Sequence, residues 1–178
     1  MPISFPYKNK ISTEKAVPFT GSFVDYPIIV ATTKEEFEIA GQLFVAYQQF
    51  LNVDLCFQNF DEELQQLDTM YAAPHGVLLL AMHNDEYIGC VAVRNKGEGV
   101  CEMKRLYVKD EYKGKGIGRK LAIAVIEKAR EMGYKKMILD TLERLTAALQ
   151  LYASLQFTTT GAYYANPLQG VVYLQKEL

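Results

Sequence analysis

The chain has 178 residues, 49% of them hydrophobic and 22% charged, with a formal net charge of −2. That length and balance suit one soluble globular domain with its own core, and the slightly acidic total argues against a whole-protein attraction to nucleic acid. No wholly apolar run exceeds six residues, as at 77–82, so no stretch is long enough to span a membrane as a helix. Cys56, Cys90 and Cys101 are odd in number and lie in no CxxC or Cys/His ligand spacing. No disulfide framework and no metal site are therefore expected, and a reducing compartment is the simpler assumption. The start, Met-Pro-Ile-Ser-Phe-Pro, lacks the basic end and apolar stretch of a secretory signal, so the expected location is cytoplasmic.

Residues 1–27 hold four of the six prolines with Phe5, Tyr7, Phe19, Phe23 and Tyr26 between them. They read as an irregular arm lying on a single domain at 28–178. Residues 28–31 form a short strand, and Thr32 or Thr33 caps a helix with Glu35 and Glu36 in its first turn. Phe37, Ala40, Leu43, Phe44, Tyr47, Phe50 and Leu51 then recur at helical spacing, which predicts a core-facing stripe. A weaker helix is expected at 61–70. Residues 76–82 and 87–94 are apolar runs around His83-Asn84-Asp85-Glu86, an antiparallel hairpin with a polar turn. A strand follows at 100–109, then a glycine-rich turn and a helix running to Met132, with Gly133 as its C-terminal cap. Residues 137–139 are a strand, and Leu145, Ala148, Leu149, Tyr152 and Leu155 mark another helix. Two extended segments, 157–162 and 171–175, close the chain. The sum is a mixed α/β domain with central strands and helices on both sides.

The most informative stretch is Glu111-Tyr112-Lys113-Gly114-Lys115-Gly116-Ile117-Gly118-Arg119-Lys120. Its order is strand, glycine turn, helix. Glycines at every second position let a backbone approach a ligand closely, and a helix start offers unpaired N–H groups and a positive dipole end. Lys113, Lys115 and Arg119 add charge of the right sign for a phosphate. A nucleotide P-loop is excluded because no Gly-Lys-Ser or Gly-Lys-Thr occurs, and the spacing and late position do not fit a dinucleotide fingerprint.

The hairpin, then Glu102-Met103-Lys104-Arg105-Leu106-Tyr107-Val108, then the turn and helix, then a strand, a helix with Leu151-Tyr152, and Phe157, resembles the GNAT superfamily of N-acetyltransferases over residues 28–175. The resemblance implies a mostly antiparallel central sheet flanked by helices on both faces. Lys113-Gly114-Lys115-Gly116-Ile117-Gly118 is similar to the family's acetyl-CoA signature, with Lys113 in the place usually held by Gln or Arg. By that likeness the backbone of 114–119 binds the coenzyme A pyrophosphate, and Leu106, Tyr107 and Val108 pair with the pantetheine arm as an added strand would. Two departures stand out. Leu145 occupies the place of a usual Asn, and Gln156-Phe157 replaces a usual Gly-Phe.

The resemblance implies transfer of an acetyl group from acetyl-CoA to a primary amine of a small molecule or peptide, directly and without a covalent enzyme intermediate. Glu102 stands where some members keep a general base; its alternative is a strand-end carboxylate paired with Lys104 or another cation. Tyr152 stands where a tyrosine often serves the coenzyme A sulfur; its alternative is a core tyrosine with a satisfied hydroxyl. Cys101 and Glu102 are adjacent on a strand and face opposite ways, which disfavours a cysteine relay. His75 and His83 sit at strand borders and read as solvent-facing. Phe57, Asn59 and Phe60, and Tyr163, Tyr164 and Asn166, are aromatic-polar clusters in regions that line the acceptor side in the family; packed surface loops are their alternative. No nucleic acid, membrane or metal partner is expected, and the chain acts as a monomer or homodimer. The competing class is a non-catalytic coenzyme A-binding or sensor module.

Overall fold

The hairpin at the centre of the sequence organises the domain. Asn84 and Asp85 take left-handed backbone angles, φ 47° and 65°, the mirror-image turn that matches strand twist, and His83 faces Glu86 across it. The computed structural model describes residues 25–55 and 59–178. The hairpin strands are β2 (Gly76–His83) and β3 (Glu86–Gly97), preceded by β1 (Ile28–Val30) and followed by β4 (Val100–Val108), β5 (Lys136–Leu142), β6 (Thr158–Thr159) and β7 (Val171–Glu177). They form one sheet in the order β1-β2-β3-β4-β5-β7-β6, antiparallel throughout except where β4 meets β5.

Helix α1 (Lys34–Leu51) begins at Thr33, whose hydroxyl accepts from the Glu36 amide while the Glu36 carboxylate accepts from the Thr33 amide. That reciprocal cap contributes about 1 kcal/mol. The short α2 (Phe60–Gln65) and α3 (Leu67–Met70) replace the single helix expected at 61–70, because the chain breaks at Gln66. Helices α4 (Ile117–Glu131) and α5 (Thr146–Ser154) complete the fold.

Alternation along the strands gives the sheet two apolar faces. Leu79, Val91, Val93, Cys101 and Met103 pack with Leu121 and Val125 of α4 and Tyr152 of α5. Leu78, Leu80, Cys90 and Ala92 pack with Phe37, Leu43 and Phe44 of α1. Cys101 and Glu102 thus face opposite ways, and no helix is long and apolar enough to cross a membrane among the described residues. His83 departs from expectation: it is half-buried between the rings of Tyr26 and Tyr112, at 5.3 and 5.7 Å. The segment expected as a strand at 157–162 is shortened to β6, after which the chain leaves the sheet and carries Tyr163 toward Glu102.

Two features of the strands shape the site. β4 and β5 pair only at Val100–Glu102 with Lys136–Ile138 and then part, leaving the rest of β4 without a neighbour on that side. Before that edge ends, β4 carries a bulge. Tyr107 pairs with Cys90 but Lys104 with Ala92, so Arg105 and Leu106 together oppose Val91. Arg105 takes φ 57° at the bulge, a left-handed conformation that costs an L-residue about 1–2 kcal/mol.

The Gln-for-Gly departure is likewise visible in the backbone. Gln156 ends the α5 turn at φ 66°, where its amide bonds Ala153 O and the Phe157 amide bonds Tyr152 O. Its side chain is exposed, so glycine loses nothing there. Gln156→Gly is expected to raise the thermal midpoint by a few degrees, from relief of roughly 1 kcal/mol of strain; a differential scanning calorimetry midpoint at or below wild type counts against this.

Candidate active site

The glycine turn closes one end of the gap between β4 and β5. Gly114 and Gly116 have φ 75° and 80°, and a Cβ on either meets no atom within 4 Å. Glycine is demanded there by backbone conformation, with open space beyond it. Gly116 caps α4 without any side-chain hydrogen bond and no acid stands in the first turn, in contrast to the Thr33–Glu36 cap of α1. The bond from the Lys120 amide to Gly116 O, 3.1 Å, begins the helical ladder, so the amides of Ile117, Gly118 and Arg119 are the unpaired ones. A helix start so kept is complementary to an anion.

The neighbouring cations are held at the rim. The Lys113 ammonium sits 3.5 Å from the Phe50 ring centre and pairs with Asp110 at 2.5 Å. Lys115 lies over Tyr112, and Arg119 donates to the Ser154 hydroxyl at 2.7 Å. Lys113, Gly114, Gly116, Ile117 and Gly118 line the groove running inward from the turn, whereas Lys115 and Arg119 are turned to these other partners.

That groove has a volume of about 440 Å³. One bank is Leu106, Tyr107 and Val108 on the open edge of β4; the other is Leu145, Ala148 and Tyr152 of α5 and the turn before it, with Tyr47 from α1. Leu145 lines it in the place of the family's usual Asn. Tyr152 is buried, and burial pushes its hydroxyl pKa well up, with the charges of Tyr47 and Asp140 adding to the effect. A second, narrower cavity lies on the α1 side of the gap and shares Tyr47, Leu106, Thr141 and Tyr152 with the groove. Tyr47 is pushed up to about 12, chiefly by burial.

Glu102 is enclosed in an ion network. Its carboxylate is 1% exposed, 2.7 Å from the Arg94 Nε, 3.9 Å from the Lys104 Nζ and 4.0 Å from the Lys96 Nζ, and it accepts from the Tyr163 hydroxyl at 3.1 Å. Burial alone raises such a carboxyl, but the charges of Lys104 and Arg94 outweigh it and hold Glu102 below the usual carboxylate range. Glu102 does not line either cavity; Lys104 does, and burial lowers the Lys104 ammonium despite Glu102 and Asp140 beside it.

The structure brings Tyr163, Tyr164 and Asn166 to this network. Tyr163 donates to Asp140 as well as Glu102, at 3.4 Å; Tyr164 donates to the other Asp140 oxygen at 3.0 Å; Asn166 Nδ2 donates to the Tyr164 hydroxyl at 2.7 Å. The other acceptor-side cluster does not join them. Asn59 is an exposed left-handed residue ahead of α2 that lines neither cavity. Phe60 lies 4.9 Å beneath the Arg105 guanidinium and is 2% exposed, so it is core rather than acceptor surface. Phe57 and most of the N-terminal arm lie outside the described residues.

Lys104 pairs with Glu102 as the alternative reading of that carboxylate has it, whereas sequence reasoning misses Asp140 and the pair Arg105–Glu63. Asp140 carries a signal, being a charge in the apolar strand Met137-Ile138-Leu139-Asp140-Thr141-Leu142. Glu63 carries none: on a short polar helix it looks like any solvated acid. In the fold it is 2% exposed, accepts from Arg105 Nε at 3.1 Å and Nη2 at 2.5 Å, and from the Tyr71 hydroxyl at 2.6 Å.

A sheet that splits between a parallel strand pair, a glycine turn opening a helix beside the split, and a groove between them define the architecture. Solved structures share it. An acetyltransferase of the GNAT family from Staphylococcus aureus Mu50 superimposes with a TM-score of 0.71 at 18% identity, over 86% of this chain and 99% of that one. A GNAT family acetyltransferase from Elizabethkingia anophelis, solved with acetyl-CoA bound, gives 0.59 at 24% identity over 86% and 98%. In sequence, an uncharacterized N-acetyltransferase of Schizosaccharomyces pombe is 45% identical over 136 residues, spanning 74% of this chain and 82% of that protein. The model of the acetyltransferase (GNAT) family matches residues 44–157. The chain belongs to that family and is an acetyltransferase.

Proposed function

We propose that this enzyme transfers the acetyl group of acetyl-CoA directly to a primary amine of a small molecule or peptide. One observation carries the reading: the uncapped, acid-free start of α4 and the open edge of β4 border a single groove that Tyr152 also lines. The amides of 117–119, with the Gly114–Gly116 backbone, are complementary to the pyrophosphate. The unpaired edge at Leu106, Tyr107 and Val108 offers N–H and C=O groups to the two pantetheine amides, which need partners in a partly dry slot. Lys113 contributes positive charge at the mouth; Lys115 and Arg119 add to the field from the rim.

Tyr152 lies where the thioester end of such a donor arrives. A tyrosine hydroxyl is protonated at neutral pH, and burial raises this one further, which suits a hydrogen-bond donor to the departing thiolate. Glu102, held ionised and shielded from both cavities, fixes Lys104 and Tyr163 in place rather than meeting the acceptor itself. Tyr163, Tyr164 and Asn166 shape the acceptor side through Asp140. The free, buried Cys90 and Cys101 suit a reducing compartment such as the cytoplasm.

The test is thermal denaturation of the full chain with acetyl-CoA. A ligand that binds the native state at 100 times its Kd stabilises by about 2.7 kcal/mol, which moves the midpoint upward by several degrees. No shift at millimolar acetyl-CoA rejects the donor assignment. Binding without thiol release on any amine of a broad panel favours the non-catalytic module.

A further inference from the structure

We propose that Lys104 is a self-acetylation site: with no acceptor present, its ε-amino group takes the acetyl group of bound acetyl-CoA. The inference rests on the acetyl-CoA reading above and adds a modification site on the enzyme's own chain.

Lys104 is the one buried lysine among the described residues, its side chain 5% exposed. It stands on β4 two positions before Leu106 and lines the narrow cavity on the α1 side of the gap. That cavity and the donor groove have Tyr47, Leu106, Thr141, Leu145 and Tyr152 in common, so the two spaces adjoin. Two residues of strand span about 7 Å, a distance that an extended lysine side chain covers.

The space beside the nitrogen matches the group it would receive. The cavity has a volume of about 40 Å³, room for about three waters, and an acetyl group adds three heavy atoms. Its lining sets the hydroxyls of Tyr47 and Thr141 among Leu51, Leu55 and Leu142, which suits an amide carbonyl beside a methyl group. A larger acyl acceptor has no room there.

The charges around Lys104 favour a nucleophile over a fixed cation. Glu102 and Asp140 stand 3.9 and 3.8 Å from its Nζ, both beyond hydrogen-bond length. Glu102 is engaged by Arg94 and Tyr163, whereas Asp140 lines the same cavity and offers the proton a way out. Burial outweighs both acids and lowers the Lys104 ammonium, so its neutral amine is reached more readily than that of an exposed lysine.

The ammonium first releases one proton to solvent by way of Asp140. The neutral nitrogen then forms a C–N bond to the thioester carbon as the carbonyl π pair moves to oxygen. The nitrogen, now positive, gives a second proton to Asp140. The carbonyl re-forms and the C–S bond breaks with its electron pair on sulfur. Asp140 passes its proton through solvent to the thiolate, so the products are acetylated Lys104, free coenzyme A thiol and one proton. The amide no longer places a cation between Glu102 and Asp140.

The experiment incubates the full chain with acetyl-CoA and no amine, and reads acetyl groups by intact mass and peptide mapping. Lys104 is expected to gain one acetyl group about 10²-fold or more faster than the exposed Lys34, because the thioester is held beside it. The rate constant stays the same as protein concentration changes, as transfer within one molecule requires, and excess free coenzyme A suppresses it. Lys104→Arg keeps the acetyl-CoA-dependent thermal shift and loses the rapid uptake of acetyl by intact mass; if it does not fold, mapping of the wild type carries the test. Labelling of Lys104 no faster than Lys34, or undiminished by coenzyme A, overturns the assignment. So does a wild type that shows the thermal shift and leaves Lys104 unmodified. Absence of the thermal shift in the wild type instead overturns the donor reading beneath it.

Discussion

Gly118→Asp is expected to abolish the acetyl-CoA-dependent rise in thermal midpoint while leaving the midpoint of the free protein at or above that of wild type. Gly118 lies in the first turn of α4 with helical backbone angles, and an added Cβ meets only Val108 Cγ2, at 3.9 Å. The fold therefore has room for the side chain. An acid in the first turn also complements the helix dipole, by about 0.3–1 kcal/mol. The same carboxylate enters the cluster of unpaired amides at 117–119 that the pyrophosphate is proposed to use. Like charges brought together in a binding site cost several kcal/mol, which corresponds to a loss of about 10²-fold or more in affinity. Calorimetric titration with acetyl-CoA reads the affinity, and denaturation without ligand reads the fold. Undiminished affinity in a folded Gly118→Asp protein removes the α4 start from the donor site.

Glu63→Gln is expected to have the largest effect on stability, through the β4 bulge. The substitution keeps volume but leaves the Arg105 guanidinium, 5% exposed, without its counter-charge. Breaking a buried pair in this way costs about 3–5 kcal/mol, a fall of roughly 6–20 °C in midpoint for a chain of this size. Arg105 is also the residue at φ 57°, so its grip on Glu63 and the stacking on Phe60 hold a strained backbone in place. Because the bulge turns Lys104 and Arg105 toward the same side and directs Leu106–Val108 along the groove, a loosened bulge weakens acetyl-CoA binding too.

The pH dependence of that effect has a definite sign. Burial raises the Glu63 carboxyl, but hydrogen bonds and charge from Arg105, with the Tyr71 bond, outweigh it and hold the pKa below the ordinary value. A group lowered on folding contributes stability above its unfolded pKa, near 4.3, and loses it as pH falls through the folded value. The gap between wild type and Glu63→Gln is therefore full at neutral pH and closes in acid. Urea midpoints across that range measure it, and a gap that widens in acid contradicts the assignment.

The relation between chain and fold follows the range of the interactions. Thr33 and Glu36, Asn84 and Asp85, and the glycines at 114 and 116 act on backbone within a few residues, so the α1 cap, the hairpin turn and the α4 start are legible as sequence. The apolar stripe of α1 and the run of α4 are legible because burial repeats with the helical period. Tyr163, Tyr164 and Asn166 stand out as a cluster, but the Asp140 that gathers them lies about two dozen positions earlier in the chain.

The sequence by itself determined the fold family and singled out the glycine turn and the candidates Glu102 and Tyr152. Only the tertiary structure decided that Glu102 sits closed among Arg94, Lys96 and Lys104 while Asp140 faces a cavity. It also decided that Phe60 is core and that Glu63 clamps Arg105 across 42 residues of chain. Local propensity encodes which way a strand or turn runs. Which buried charge meets solvent, a substrate or another charge depends on where β4 and β5 part, and no short stretch of sequence records that.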